Sequence, residues 1–213
     1  MKKISQIVEE IIQQDDVARE AAARGLLNTT AYARSIQSQI SEVTLAPVSL
    51  GSLAAAVTRC LQDMTPISLP AENGIQQISV QTHLEAITHE RSAEVSNLIR
   101  SIYKDIQATH QTYITLTQGI NEITLIAEES IIEIFREQLT RYPKIYDLTS
   151  IIGITVKFDL KYENIPNLFY LLIRKLAFKN INIVEIVSTA TELTFIIDKK
   201  DMQSALGQLQ KGL

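Results

Sequence analysis

Ile4, Ile7, Val8, Ile11 and Ile12 recur at the three- and four-residue spacing of a single helix face. Asp15-Asp16 supply cap residues for a second helix, Val17 to Arg24, which is rich in alanine and stops at Gly25. Asn28-Thr29-Thr30 open a third helix, whose predicted inward face is Tyr32, Ile36, Ile40 and Val43. Pro47 ends the connection that follows. Ser49 starts a fourth helix through Leu50, Leu53, Ala54, Val57 and Leu61. Residues 1–64 therefore read as an all-helical domain.

The pattern then changes. Residues 65–76 hold two prolines and Asn73-Gly74, and read as a linker with a short strand at Pro66–Leu69 that could be shared with a later sheet. Ile78, Val80, Thr82 and Leu84 alternate as a half-buried strand does. A helix follows over Ser92–Gln107, then strands at Tyr113–Thr117 and Ile120–Ile126. A second helix carries Ile131, Ile132, Ile134, Phe135 and Leu139, and Pro143–Leu148 can supply a closing strand. The same order returns in Ile152–Phe158, a helix after Pro166 with Leu168, Leu171, Leu172 and Leu176, strands at Ile181–Ser188 and Glu192–Ile197, and a helix through Met202, Ala205, Leu206 and Leu209. Proline suits a first helical turn because its missing N–H would be unpaired there anyway. Two copies in one order form an internal repeat, with units at 77–149 and 150–213. The second copy runs out after its second helix, so a fourth strand must come from elsewhere. The predicted class is α+β: a helical domain followed by tandem ferredoxin-like βαββαβ units with antiparallel sheets.

Asn180-Ile181-Asn182-Ile183, Ile186-Val187-Ser188-Thr189, and Glu192-Leu193 in a strand ending at Asp198 resemble the second strand pair of the ACT domain, most closely in the regulatory half of aspartate kinases. The loop after the first strand departs from that pattern. Here it reads Asp159-Leu160-Lys161-Tyr162-Glu163-Asn164-Ile165-Pro166-Asn167, which keeps the proline, puts Asn167 where a glycine is usual, and lacks the preceding glycines. The resemblance covers about 66–213. The helical segment around Leu27–Arg34 and Val48–Leu53 is similar to the front end of small ACT-containing regulators of amino acid metabolism.

The resemblance implies an amino acid effector held at the first strand-to-helix loop of the second copy. The corresponding positions are Asp159, Asn164, Ile165, Pro166, Asn167 and Leu168, with Ser188 and Thr189 on the neighbouring strand. Free N–H groups of a helix N-terminus can receive a carboxylate, and Asp159 or Glu163 could pair with an ammonium group. Asn164 as a plain helix cap and Asp159 as a solvated strand end remain the alternative. In the first copy the loop is His89-Glu90-Arg91-Ser92, which implies a structural role. The resemblance also implies at least a dimer.

Charge and candidate chemistry narrow the picture further. Net charge is −4, which offers no bulk attraction for nucleic acid or anionic membrane. Residues 1–64 carry six basic side chains (Lys2, Lys3, Arg19, Arg24, Arg34, Arg59) against seven acidic ones (Glu9, Glu10, Asp15, Asp16, Glu20, Glu42, Asp63). A helix-turn-helix reading puts Ser49–Gln62 in the recognition position, with Arg34, Ser49, Ser52 and Arg59 as DNA contacts; a dimerisation or docking module is the alternative. Catalytic, metal and cofactor sites are not expected. The seven glycines form no phosphate loop, His83, His89 and His110 lack metal spacings, and Cys60 is the one cysteine. The N-terminus shows no continuous apolar segment of the signal-peptide kind. The reading is a cytoplasmic, non-enzymatic regulator that binds an amino acid. A DNA-binding regulator and a protein-interaction module are its alternatives.

Overall fold

A computed structural model describes residues 3–64, 74–109, 112–162 and 164–211. The chain forms two compact units, Met1–Ser68 and Leu69–Leu213.

The first unit holds α1 (Ile4–Gln13), α2 (Asp16–Ala23), α3 (Thr29–Thr44) and α4 (Leu50–Asp63). Local chemistry sets three of the helix starts. Asp15 accepts from the Ala18 N–H, Asn28 from Ala31 and Ser49 from Ser52, each satisfying a donor that the helix leaves open. Gly25 follows α2 at φ 67°, a backbone setting that glycine adopts without strain. Ile7, Val8, Ile12, Ile36, Ile40, Leu53 and Val57 form the core. One expected core residue is misplaced. Val43 is 57% exposed, and Thr44 is buried instead. Ala33, Ile36, Ile40 and Thr44 make the continuous stripe, and the Thr44 hydroxyl donates to the Ile40 carbonyl at 2.8 Å, so its burial leaves no orphaned donor.

The second unit is built on one antiparallel sheet in the order β2-β3-β1-β4-β6-β5. Its strands are β1 (Ile75–Glu90), β2 (Ile114–Gln118), β3 (Glu122–Glu128), β4 (Lys144–Phe158), β5 (Ile183–Ser188) and β6 (Glu192–Asp198). Its helices are α5 (Ala93–Thr109), α6 (Glu129–Leu139), α7 (Leu168–Ala177) and α8 (Met202–Leu209). The two long strands are the departure from expectation. Pro143–Leu148 does not close one sheet and stop; it continues into the first strand of the next copy as β4. Likewise β1 begins in one half and ends in the other. Its Ile75–Gln81 segment pairs with Gly153–Phe158 and is the fourth strand that the second copy lacked. Pro66–Leu69, the expected donor, lies outside the described residues.

The two halves repeat residue for residue through the centre of the sheet. Leu84 pairs with Glu128, Ile87 with Leu125 and Thr88 with Thr124. In the same sequence Ile151 pairs with Asp198, Ile154 with Phe195 and Thr155 with Thr194. Leu84 and Ile151 pair with each other. The register between β1 and β4 shifts on both sides of this pair, and His83 and Ser150, at equivalent places, both have φ 58°. Each shift inverts which residues face which side.

On one face of the sheet, α5 and α6 cover Ile87, Ile123 and Leu125. On that same face α7 and α8 cover Ile152, Ile154, Val156 and Phe195. The other face carries Leu84, Ala86, Ile126, Ile151 and Ile196, with Tyr113 from one edge of the sheet and Val184 from the other packed on them. The outermost strands meet there, since the Thr117 hydroxyl of β2 donates to Glu185 of β5. The sheet is thus rolled over its helix-free face. Sealed in that interior, the Thr88–Thr124 and Thr155–Thr194 hydroxyl pairs bond at 2.9 and 2.7 Å. Burial pushes the Tyr113 phenol up to about 12, with Glu185 adding to the shift and Thr194 opposing it.

Candidate functional site

β4 ends at Phe158, whose N–H donates to the Thr191 carbonyl at 2.8 Å. The chain then makes a short 3-10 turn, Leu160–Tyr162, closed by the Tyr162 N–H on the Asp159 carbonyl. The Asp159 carboxylate accepts from the Lys161 N–H at 3.1 Å and lies 3.7 Å from the Lys161 ammonium. Asn167 takes a left-handed conformation, φ 68°, and α7 begins at the next residue. Its side chain does not cap the helix, unlike Asp15, Asn28 and Ser49 in the first unit. Among the described residues no side chain caps the first-turn N–H groups of α7.

A cavity of about 470 Å³ opens at this helix start. Its walls are Phe158 from β4, Tyr162 and Ile165 from the loop, Asn167 to Tyr170 from α7, and Thr189-Ala190 from the β5–β6 turn. Of the residues expected to hold a ligand, Ile165, Asn167, Leu168 and Thr189 line it. Asp159, Asn164, Pro166 and Ser188 do not, and Asp159 is engaged with Lys161. Glu163 lies outside the described residues. The aromatic walls Phe158, Tyr162, Phe169 and Tyr170 were not anticipated. Cations sit on two of these rings: the Lys161 ammonium is 5.3 Å from the Tyr162 centroid, and the Arg174 guanidinium is 5.5 Å from that of Tyr170.

The equivalent loop in the first half is shorter. Only Arg91 and Ser92 separate β1 from α5. The Arg91 N–H donates to the Asn121 carbonyl at 2.8 Å, matching Phe158 and Thr191 in the second half. Its guanidinium donates to the Gly119 and Ile120 carbonyls, both at 3.2 Å. Ser92 caps α5 by accepting from the Val95 N–H. In one copy a short loop carries an exposed arginine bonded to the β2–β3 turn; in the other a longer loop borders a cavity.

A wider, shallower cleft of about 1180 Å³ lies beside the bulge of β1, along Val80–His83, Tyr113 and Glu128–Ser130. Its carboxylates are held by the chain itself. The Thr112 hydroxyl donates to Glu128, and the Ser150 N–H donates to Glu129 at 3.4 Å. In the helical unit Arg34 and Arg59 are exposed on α3 and α4, and Arg59 borders a small cavity with Glu9. Ser49 and Ser52 bond each other at the start of α4. Among the described residues no cluster of three or more His, Cys, Asp or Glu side chains could hold a metal ion, and no helix is long and apolar enough to cross a membrane.

No protein-family model matches the chain, and no curated protein sequence matches it. Solved structures do. The aspartate kinase of Clostridium acetobutylicum aligns at 12% identity and a TM-score of 0.54, over 68% of this chain and 36% of that one. The ligand-free regulatory subunit of aspartate kinase from Thermus thermophilus aligns at 10% identity and 0.52, over 66% of this chain and 99% of the subunit. E. coli aspartokinase III in complex with lysine and aspartate, in its T-state, aligns at 8% identity and 0.50, over 75% of this chain and 41% of that one. The chain thus spans about a third of the Clostridium enzyme and nearly all of the Thermus subunit. At these identities the fold is what is shared: the six-stranded unit has the fold of aspartate kinase regulatory subunits.

Proposed function

We propose that this chain is a non-enzymatic regulator whose second half binds a free amino acid in the cavity at the start of α7. One observation carries this reading: a cavity opens at the start of α7, where no side-chain cap is found among the described residues, while the matching loop of the first half is short and its Arg91 bonds the β2–β3 turn. The bound carboxylate would accept from the first-turn N–H groups of α7, where the helix dipole favours negative charge. Thr189 of the β5–β6 turn lines the same cavity and would offer its hydroxyl to a polar group of the ligand. Structural neighbours of this fold include an aspartokinase bound to lysine and aspartate, which supports an amino acid rather than another carboxylate.

Ligand binding regulates by favouring one arrangement over another. Gly74, just before β1, packs directly against the Tyr162 ring of the cavity wall. Pairing of an outer strand, β2 or β5, with a second copy would make a dimer the expected form. Thermal unfolding against the twenty amino acids tests the reading. A ligand at 100 times its Kd adds about 2.7 kcal/mol to the folded state. A shift with a subset of amino acids supports the reading, and no shift with any of them overturns it.

A further inference from the structure

We propose that the cavity selects an amino acid with a bulky apolar or aromatic side chain and rejects lysine. The inference rests on the reading above and goes on to the class of ligand. Six of the nine described lining residues, Phe158, Tyr162, Ile165, Leu168, Phe169 and Tyr170, are large apolar or aromatic side chains. None of the described lining residues is charged. A ligand ammonium among them would give up its water with no carboxylate among the described lining residues to replace it. Ring faces can hold a cation, but Tyr162 and Tyr170 already carry Lys161 and Arg174. A third cation would meet like charge at both. Among the described residues of the loop the one carboxylate, that of Asp159, is paired with Lys161. An aromatic or branched apolar side chain has no such cost and packs edge or face against the four rings. Phe169 and Tyr170 are partly exposed beside the cavity, and a ligand side chain would cover them.

Isothermal titration of the full chain with L-phenylalanine, L-leucine and L-lysine tests this. The expected result is that phenylalanine or leucine binds at least tenfold more tightly than lysine. Phe169→Ala changes a partly exposed side chain, so the fold should survive; it should weaken phenylalanine at least tenfold and alanine less than threefold. Lys161→Glu should narrow the gap between phenylalanine and lysine. Lysine binding as tightly as phenylalanine overturns the inference and leaves the site standing, as would binding confined to small polar amino acids. No heat with these three and no melting shift with the other seventeen would remove the site itself.

Discussion

His83 and Ser150 stand at equivalent points of β1 and β4, and both turn to φ 58°. Between them Leu84 pairs with Ile151. These two residues let each long strand serve two halves of the sheet: past each one, the apolar positions change sides. Positive φ is rare for side chains other than glycine, and for a β-branched residue it is a true outlier. Ser150 is exposed, so substitution there tests backbone alone. Ser150→Val should destabilise the protein by about 1–2 kcal/mol, while Ser150→Gly should cost nothing measurable. Denaturant titration of both variants checks this. Equal effects would mean that the bulge does not depend on this conformation.

Glu85 is 1% exposed beneath α6, and Arg136 donates to it at 2.6 Å. The equivalent pair in the second half is Ile152 with Leu206, both apolar and packed in the core. One half holds an ion pair where the other holds a hydrophobic contact. Removing one partner leaves a buried charge alone, so Arg136→Leu should cost about 3–5 kcal/mol. Glu85→Ile with Arg136→Leu copies the second half and should recover most of that loss. A double variant no more stable than Arg136→Leu would show that the pair is not exchangeable.

Burial holds the Glu85 carboxyl above the usual carboxylate range, against the pull of Arg136 and with Asp147 pushing the same way. A folded-state pKa above the unfolded one means that the folded protein binds the proton more tightly. That contribution is full below the unfolded value of about 4.3 and is lost as pH rises through the folded one. Glu85→Gln has no such proton to lose. Its stability relative to the parent should therefore improve as pH rises from 4 to 8 in a series of melting curves. A difference that stays flat, or declines, would contradict the shift.

Gly74 lies against the Tyr162 ring so closely that a Cβ there would sit 2.7 Å from Cζ and 2.8 Å from Cε1. Tyr162 is packed in the core of the second half and cannot swing clear. Gly74→Ala should cost about 1–3 kcal/mol by overpacking and should weaken ligand binding, because Tyr162 is a wall of the cavity. Adding Tyr162→Val should return part of the lost stability without returning affinity. The two readouts separate packing from binding.

Much of this was legible from the chain. The Asp15, Asn28 and Ser49 starts follow from cap chemistry. The alternation of Ile152, Ile154 and Val156, and the stripe of Leu168, Leu171, Leu172 and Leu176, are core positions as expected. Ile134 is an exception at 61% exposed; Ile131, Ile132, Phe135 and Leu139 complete the stripe of α6 without it. The shared strands were hidden for a local reason. A histidine and a serine bend the backbone where glycine would have signalled a bulge, so the continuity of Lys144–Leu148 with Ile151–Phe158 was not readable.

The site was half legible. Asn167 and Thr189 came from the resemblance in the loop and strand. The aromatic wall had its own signal that alternation obscured. Phe169 and Tyr170 lie off the apolar stripe of α7, and large rings off a stripe at a helix start mark a surface with something to cover. Phe158 looked like one more inward strand residue. Arg91 gave no signal, because its role depends on two carbonyls 28 and 29 residues away.

The central claim is an asymmetry between the two halves: the cavity at the start of α7 is proposed to bind an amino acid, and the short loop before α5 is not. Backbone amide chemical shifts, followed by NMR through a titration with the amino acid that raises the melting temperature most, test it directly. The account predicts saturable shifts at Leu168, Phe169, Tyr170 and Thr189. It predicts none at Ala93, Glu94 or Gly119. Shifts centred on α5 and Gly119, or equal in both halves, would contradict it.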